Sequence, residues 1–187
     1  MGMKDSDAVK PDGVQGKNVV LIGMPGSGKS TIGARLAGML GYAYIDTDAL
    51  IEKVTGRSLQ KIVDDNGYLT LRQIEEKVLL SFDPIRYVVS TGGSAVYSRA
   101  AMAHLKTNGV IVFLNVDLKT LRKRIKNFGE RGIAKHPEQS FEDLYRERFP
   151  LYVRYADIII EGTRLSVDEI CERIIEELRS EKNRVAG

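Results

Sequence analysis

Gly23-Met24-Pro25-Gly26-Ser27-Gly28-Lys29-Ser30 follows the apolar run Val19-Val20-Leu21-Ile22 and opens a stretch of helical periodicity. A strand, a glycine turn and a helix in that order, with G-x-x-x-x-G-K-S spacing, are the context a phosphate-binding loop requires. The glycines let backbone N–H groups close on phosphate oxygens without Cβ interference. The helix adds its positive N-terminal end, and Lys29 supplies a charge for the β- and γ-phosphates. Gly26, Ser27, Gly28, Lys29, Ser30 and Thr31 are therefore the expected nucleotide-binding residues, with the Ser30 hydroxyl directed at Mg²⁺. The motif defines a nucleoside triphosphate site.

After this loop, Ile32, Leu36 and Met39/Leu40 recur at helical spacing until Gly41, a plausible stop. Tyr42 to Ile45 reads as a second strand ending on Asp46, and Asp48 to Val54 as a helix closed by Gly56. Helical segments over Ser58–Val63 and Leu69–Phe82 flank the Asn66-Gly67 break. Tyr87-Val88-Val89-Ser90 is a strand that runs into a second glycine turn, Thr91-Gly92-Gly93-Ser94. A helix over Arg99–Lys106, a strand over Val110–Asn115 and a basic helix capped by Asp117 come next. Periodicity is lost from Asn127 to Gln139, a charged segment with the character of a lid. Ser140 and Asp143 resemble a capping box for a helix that the Phe149-Pro150 step should bend or end. Ile158-Ile159-Ile160 is the last strand, and the closing helix carries an apolar stripe that includes Cys171.

Strands alternate with helices five times, so the expected fold is α/β, a three-layer αβα arrangement around a five-stranded parallel sheet. Ligands in such sheets bind beyond the C-terminal strand ends. The first loop, Asp46/Asp48 and Gly92/Gly93 all follow strand ends and should converge on one crevice. Asp46 could then face the Mg²⁺ shell while Asp48 accepts a proton from an attacking hydroxyl. On local sequence alone a helix cap with a first-turn acid is the better account. The strand-end position beside the phosphate loop reverses that and favours the functional reading for both. Arg72, with Glu75 and Glu76 at i+3 and i+4, and Arg148, beside Glu142 and Glu147, read as surface ion pairs from spacing alone. Arg131 stands in the lid segment, either as a solvated loop residue or as a cation over transferring phosphate. His104 and His136 have no partners at ligand spacing, which argues against a metal role for either.

The 187 residues suit one kinase domain over 18–187, with a lid at about 127–139 and a leader over 1–17 that lacks periodicity and is expected to be disordered. A net charge of +3, with no long basic run, gives no case for nucleic acid. No run approaches the roughly 18 apolar residues of a membrane span, and the N-terminus lacks an apolar signal core. One cysteine excludes an internal disulfide. A cytoplasmic monomer is expected.

Taken together, GMPGSGKSTIG (23–33), IDTDALIE (45–52), LRQIEE (71–76), STGGSAV (90–96), the pair Arg124/Arg131 and RFPLY (148–152) resemble the shikimate kinases over nearly the whole chain. The resemblance implies a P-loop kinase of the nucleoside-monophosphate-kinase type, using ATP and Mg²⁺ to form shikimate 3-phosphate and ADP, a step toward chorismate and the aromatic amino acids. It makes Lys29, Asp48 and Arg131 catalytic and places Ser30 and Asp46 at the metal. Arg124 would stack on adenine, Arg72 and Arg148 would grip the substrate carboxylate, and Gly92 and Gly93 would offer backbone N–H groups to substrate. Several positions depart from the family pattern: Ser94 replaces a third glycine, Leu71 and Val63 replace pocket aromatics, and Gly132 replaces the lid proline. Tyr68 also stands where the family has an acid. A related kinase for another hydroxy acid or polyol such as gluconate, and a catalytically silent nucleotide-binding module, are the competing expectations.

Overall fold

The structure, a computed structural model, describes residues 16–125 and 132–185. Five parallel strands form one sheet: β1 (Asn18–Ile22), β2 (Ala43–Asp46), β3 (Tyr87–Ser90), β4 (Gly109–Asn115) and β5 (Ile158–Glu161), in the order β2-β3-β1-β4-β5. The central strands are apolar without alternation because both faces are covered. On β1, Val20 and Ile22 enter one core cluster, while Val19 and Leu21 enter another on the opposite face. The second face is closed by α1 (Lys29–Leu40) and α8 (Val167–Val185). Cys171 lies fully buried there, and burial pushes its thiol up to about 11.

The first face carries α4 (Tyr68–Ser81), α5 (Arg99–Thr107), α6 (Leu118–Arg124) and α7 (Phe141–Tyr155). Two shorter helices, α2 (Thr47–Thr55) and α3 (Leu59–Asn66), pack with α4 around a third cluster of Ile51, Ile62, Leu71, Val78 and Ala134. The expected αβα architecture, strand count and parallel sense all hold. No described helix is long and apolar enough to cross a membrane.

Two local expectations shift. Tyr42 precedes β2 because its N–H is spent on the Ala37 carbonyl, 2.9 Å away, in the cap that Gly41 makes in the left-handed region (φ 64°). Pro150 does not end α7, which continues to Tyr155. The carbonyl that the ring deprives of a donor is that of Arg146, four residues back, and both residues are exposed, so water can serve it. On the inner face Leu144, Arg148 and Tyr152 stay buried, and Tyr152 stacks on Phe113 at 5.2 Å, so packing carries the helix through.

Candidate active site

The loop after β1 wraps the N-terminus of α1, with Gly26 and Gly28 in the left-handed region at φ 82° and 97°. A side chain at Gly26 would also strike Ile125 Cγ1 at 2.8 Å. Lys29 is buried, and its Nζ donates to the carbonyls of Gly23 (2.8 Å) and Met24 (3.1 Å). Burial pulls its pKa down to about 8, opposed by the charges of Asp48 and Asp46. A positive group held at this cost, beside a ring of backbone donors, is arranged for an anion.

Asp46 unites the two readings its sequence allowed. One oxygen, Oδ1, caps α2 by accepting from the N–H groups of Asp48 (3.0 Å) and Ala49 (3.4 Å). The other, Oδ2, accepts from Ser30 Oγ at 2.6 Å, placing a carboxylate and a hydroxyl together at the mouth of the loop. Capping therefore fixes the carboxylate that faces the loop. Asp48, in the first turn of α2, lines the same crevice. Burial pushes its carboxyl up to about 6, helped by Asp46 and opposed by Lys29.

These residues border a cavity of about 400 Å³. Thr31 and Arg124 lie at its rim, both exposed, and Arg124 ends α6 next to Gly26. Arg131 lies outside the described residues. On the far wall stand Glu75, Ser94, Ala134 and Arg148. Arg148 is fully buried; its Nη2 donates to the Ala134 carbonyl at 2.9 Å and its Nε to the Tyr97 hydroxyl at 3.3 Å. Arg72 borders a smaller neighbouring cavity, but its Nε (3.3 Å) and Nη2 (3.0 Å) donate to the same Ala134 oxygen. The two arginines thus converge, although neither could be singled out from spacing.

The glycine turn after β3 is shaped by close approach. A Cβ on Gly92 would fall 2.5 Å from Asp48 Oδ1 and closer still to Glu75, while one on Gly93 would fall 2.8 Å from Arg148 Nη1. Gly92 N–H donates to Thr47 Oγ1 at 3.0 Å, and it is Gly93 that lines the cavity. Of the family departures, Leu71, Ser94 and Gly132 border the cavity, whereas Val63 packs into the third cluster.

Glu75 was not legible as a site residue. Its carboxylate is buried, accepts from Ser94 Oγ, and is pushed up to about 7 by burial and by Asp48, against the arginines and the Ser94 hydroxyl. The signal was present: Glu75 shares the buried face of α4 with Leu71, Val78 and Leu79. An acid on an apolar stripe implies a partner or a ligand. Arg148 carries the same signal between Leu144 and Tyr152 on α7. Three buried polar atoms find no hydrogen-bond partner in the loop and cavity: Ser27 Oγ, Glu75 Oε1 and Arg148 Nη1. Such orphans call for a ligand or water. His136 of the lid segment meets Tyr68 edge-on at 6.1 Å, and His104 Nε2 donates to the Phe82 carbonyl at 3.1 Å, so both histidines have structural contacts. Among the described residues no group of three or more His, Cys, Asp or Glu could hold a metal.

A phosphate loop at the head of a parallel sheet, with a carboxylate and a buried arginine bordering one crevice, defines a P-loop kinase. The shikimate kinase family model matches residues 25–179. A shikimate kinase of Thermodesulfovibrio yellowstonii is 36% identical over 164 residues, which is 86% of this chain and 94% of that protein. Among solved structures, a shikimate kinase from Acinetobacter baumannii in complex with shikimate superposes with TM-score 0.81 at 30% identity, covering 90% of this chain and 96% of that one. The Aquifex aeolicus enzyme gives 0.74 at 31% identity, covering 91% and 99%. The chain belongs to the shikimate kinase family and is an ATP-dependent phosphotransferase with a hydroxyl acceptor.

Proposed function

We propose that this site transfers the γ-phosphoryl group of ATP to the 3-hydroxyl of shikimate, giving shikimate 3-phosphate and ADP. The observation that carries the reading is the buried Arg148, whose free Nη1 faces a cavity that also holds Lys29 and Asp48. An anion-binding wall therefore stands opposite a phosphate loop, with a carboxylate in the electrostatic field of both Lys29 and Arg148. A carboxylated polyol matches that wall better than a neutral sugar.

In this mechanism the loop N–H groups and Lys29 hold the phosphate chain, and Lys29 leaves the Gly23 and Met24 carbonyls to do so. Arg148 and Arg72 bind the acceptor carboxylate through planar forks, replacing the Ala134 carbonyl they now share. Asp48 orients the acceptor hydroxyl and takes its proton. Phosphoryl transfer through a loose transition state asks mainly for this positioning and for charge stabilisation, to which Arg131 of the lid contributes. The Ser30 hydroxyl and the Asp46 carboxylate, two hard oxygens beside the loop, suit Mg²⁺, which takes few protein ligands together with phosphate oxygens. When bound, Mg²⁺ would neutralise charge on the phosphates. A cytoplasmic location, where ATP is supplied and Cys171 stays a thiol, completes the reading.

A coupled ADP-release assay, run with shikimate, with gluconate and with ATP alone, tests the acceptor. Turnover with shikimate well above both other reactions is expected. Shikimate turnover no greater than the ATP-only background would end the assignment.

A further inference from the structure

Arg72 does not reach the acceptor site unaided. Its guanidinium carbon lies 3.5 Å from the centroid of the Tyr97 ring and 5.1 Å from that of Tyr68, so the fork sits between two aromatic faces. Tyr68 is one helical turn upstream on α4, whereas Tyr97 comes from the short 3-10 turn Ala95–Tyr97 after the second glycine loop. Tyr97 also touches the second arginine: its hydroxyl accepts from Arg148 Nε at 3.3 Å and donates to Glu147 Oε1. That turn is pinned to α4 at both ends, by Ser94 Oγ on Glu75 and Ser98 Oγ on Glu76. One half-buried tyrosine therefore sets the plane of one fork with its ring and the direction of the other with its hydroxyl.

We propose that Tyr97 is the positioning and specificity-determining residue for the acceptor carboxylate. It holds Arg72 and Arg148 so that both reach one point, which the shared Ala134 carbonyl marks. The proposal rests on the acceptor reading given above. It also gives a role to Tyr68 where the family pattern has an acid: Tyr68 closes the other side of the Arg72 clamp. An arginine held between aromatic faces keeps its charge while losing rotamer freedom, so less order is imposed when the carboxylate arrives. A tyrosine serving only as packing would leave the acceptor affinity unaffected.

Tyr97→Leu removes ring and hydroxyl, and Tyr97→Phe removes the hydroxyl alone. Initial rates are measured over a grid of shikimate and ATP concentrations, with thermal unfolding recorded for each protein. The expected result is a rise in KM for shikimate of roughly tenfold in Tyr97→Leu, the scale of a lost desolvated arginine–aromatic contact, and a smaller rise in Tyr97→Phe. In both, kcat and KM for ATP should stay within about twofold of wild type. Unchanged KM for shikimate in a folded Tyr97→Leu protein overturns the proposal, as does a parallel loss in both KM values and kcat. If Tyr97→Leu does not fold, Tyr97→Phe decides: a selective rise in KM for shikimate supports the role, and wild-type values overturn it. Failure of the wild-type enzyme to use shikimate sinks the acceptor reading itself. Wild-type turnover with indifferent Tyr97 variants sinks only this inference.

Discussion

Asp48 and Glu75 are two carboxylates whose oxygens crowd the space where a Cβ on Gly92 would sit, and both are held above their ordinary pKa range by burial. In the proposed mechanism Asp48 has to be ionised to accept a proton, and Lys29, pulled down to about 8, has to be charged to meet phosphate. The kcat/KM profile for ATP and shikimate should therefore be bell-shaped. Its acid limb should lie near pH 6 to 7 and belong to the Asp48/Glu75 pair, and its basic limb should lie near pH 8. A flat profile from pH 5.5 to 9 would contradict this assignment. Asp48→Asn should lower kcat by about 10²–10⁴-fold while leaving ATP affinity nearly intact, as measured by single-turnover rates and nucleotide titration. Glu75 makes a separate prediction on stability. Its folded pKa is raised from 4.5 to about 7, so its contribution is complete below pH 4.5 and is lost as pH rises through 7. Thermal unfolding of Glu75→Gln should show a flatter dependence over that interval than wild type. Equal slopes would show that Glu75 does not titrate there.

At the scale of elements, the lid segment meets α3 through Gly132. Its φ of +58° is closed to proline, its N–H donates to Gln60 Oε1 at 2.6 Å, and a Cβ would lie 2.5 Å from Leu59 Cβ. The departure from the family's lid proline is thus a matter of docking: only glycine lets the chain lie this close to α3. Gly132→Pro should displace the segment, which removes the Ala134 carbonyl from the arginines and opens the crevice to water. The measurable consequence is a higher ratio of ATP hydrolysis without acceptor to phosphoryl transfer with it. A variant with the wild-type ratio would detach lid docking from water exclusion. The elements themselves were largely legible, because glycine stops at Gly41, Gly56 and Gly67 and side-chain caps at Asp46, Ser58, Ser98, Asp117 and Ser140 are local chemistry. Pro150 was misleading for the opposite reason. Whether a proline breaks a helix depends on which face it occupies and on the packing of Tyr152 opposite, and neither is local.

For the whole molecule, the crevice was predictable from topology, since three strand ends of one parallel sheet have to meet there. The acceptor wall was not. Arg72 comes from α4 and Arg148 from α7, and their meeting at the Ala134 carbonyl depends on contacts far apart in the chain, 62 residues for the Arg72 bond. Charge pairs at i+3 and i+4 offered a plausible surface explanation for Arg72, and the ring and carbonyl contacts that override it are tertiary facts. The resulting account has ATP on the loop side, a carboxylate held by two arginines on the other, and the acceptor hydroxyl beside Asp48. Its most direct test is the identity of the product. Phosphorus and proton NMR of the mixture after complete turnover of ATP and shikimate should show ADP and a single phosphate ester on the 3-hydroxyl of shikimate. Inorganic phosphate as the main product, or an ester on a different hydroxyl, would contradict it.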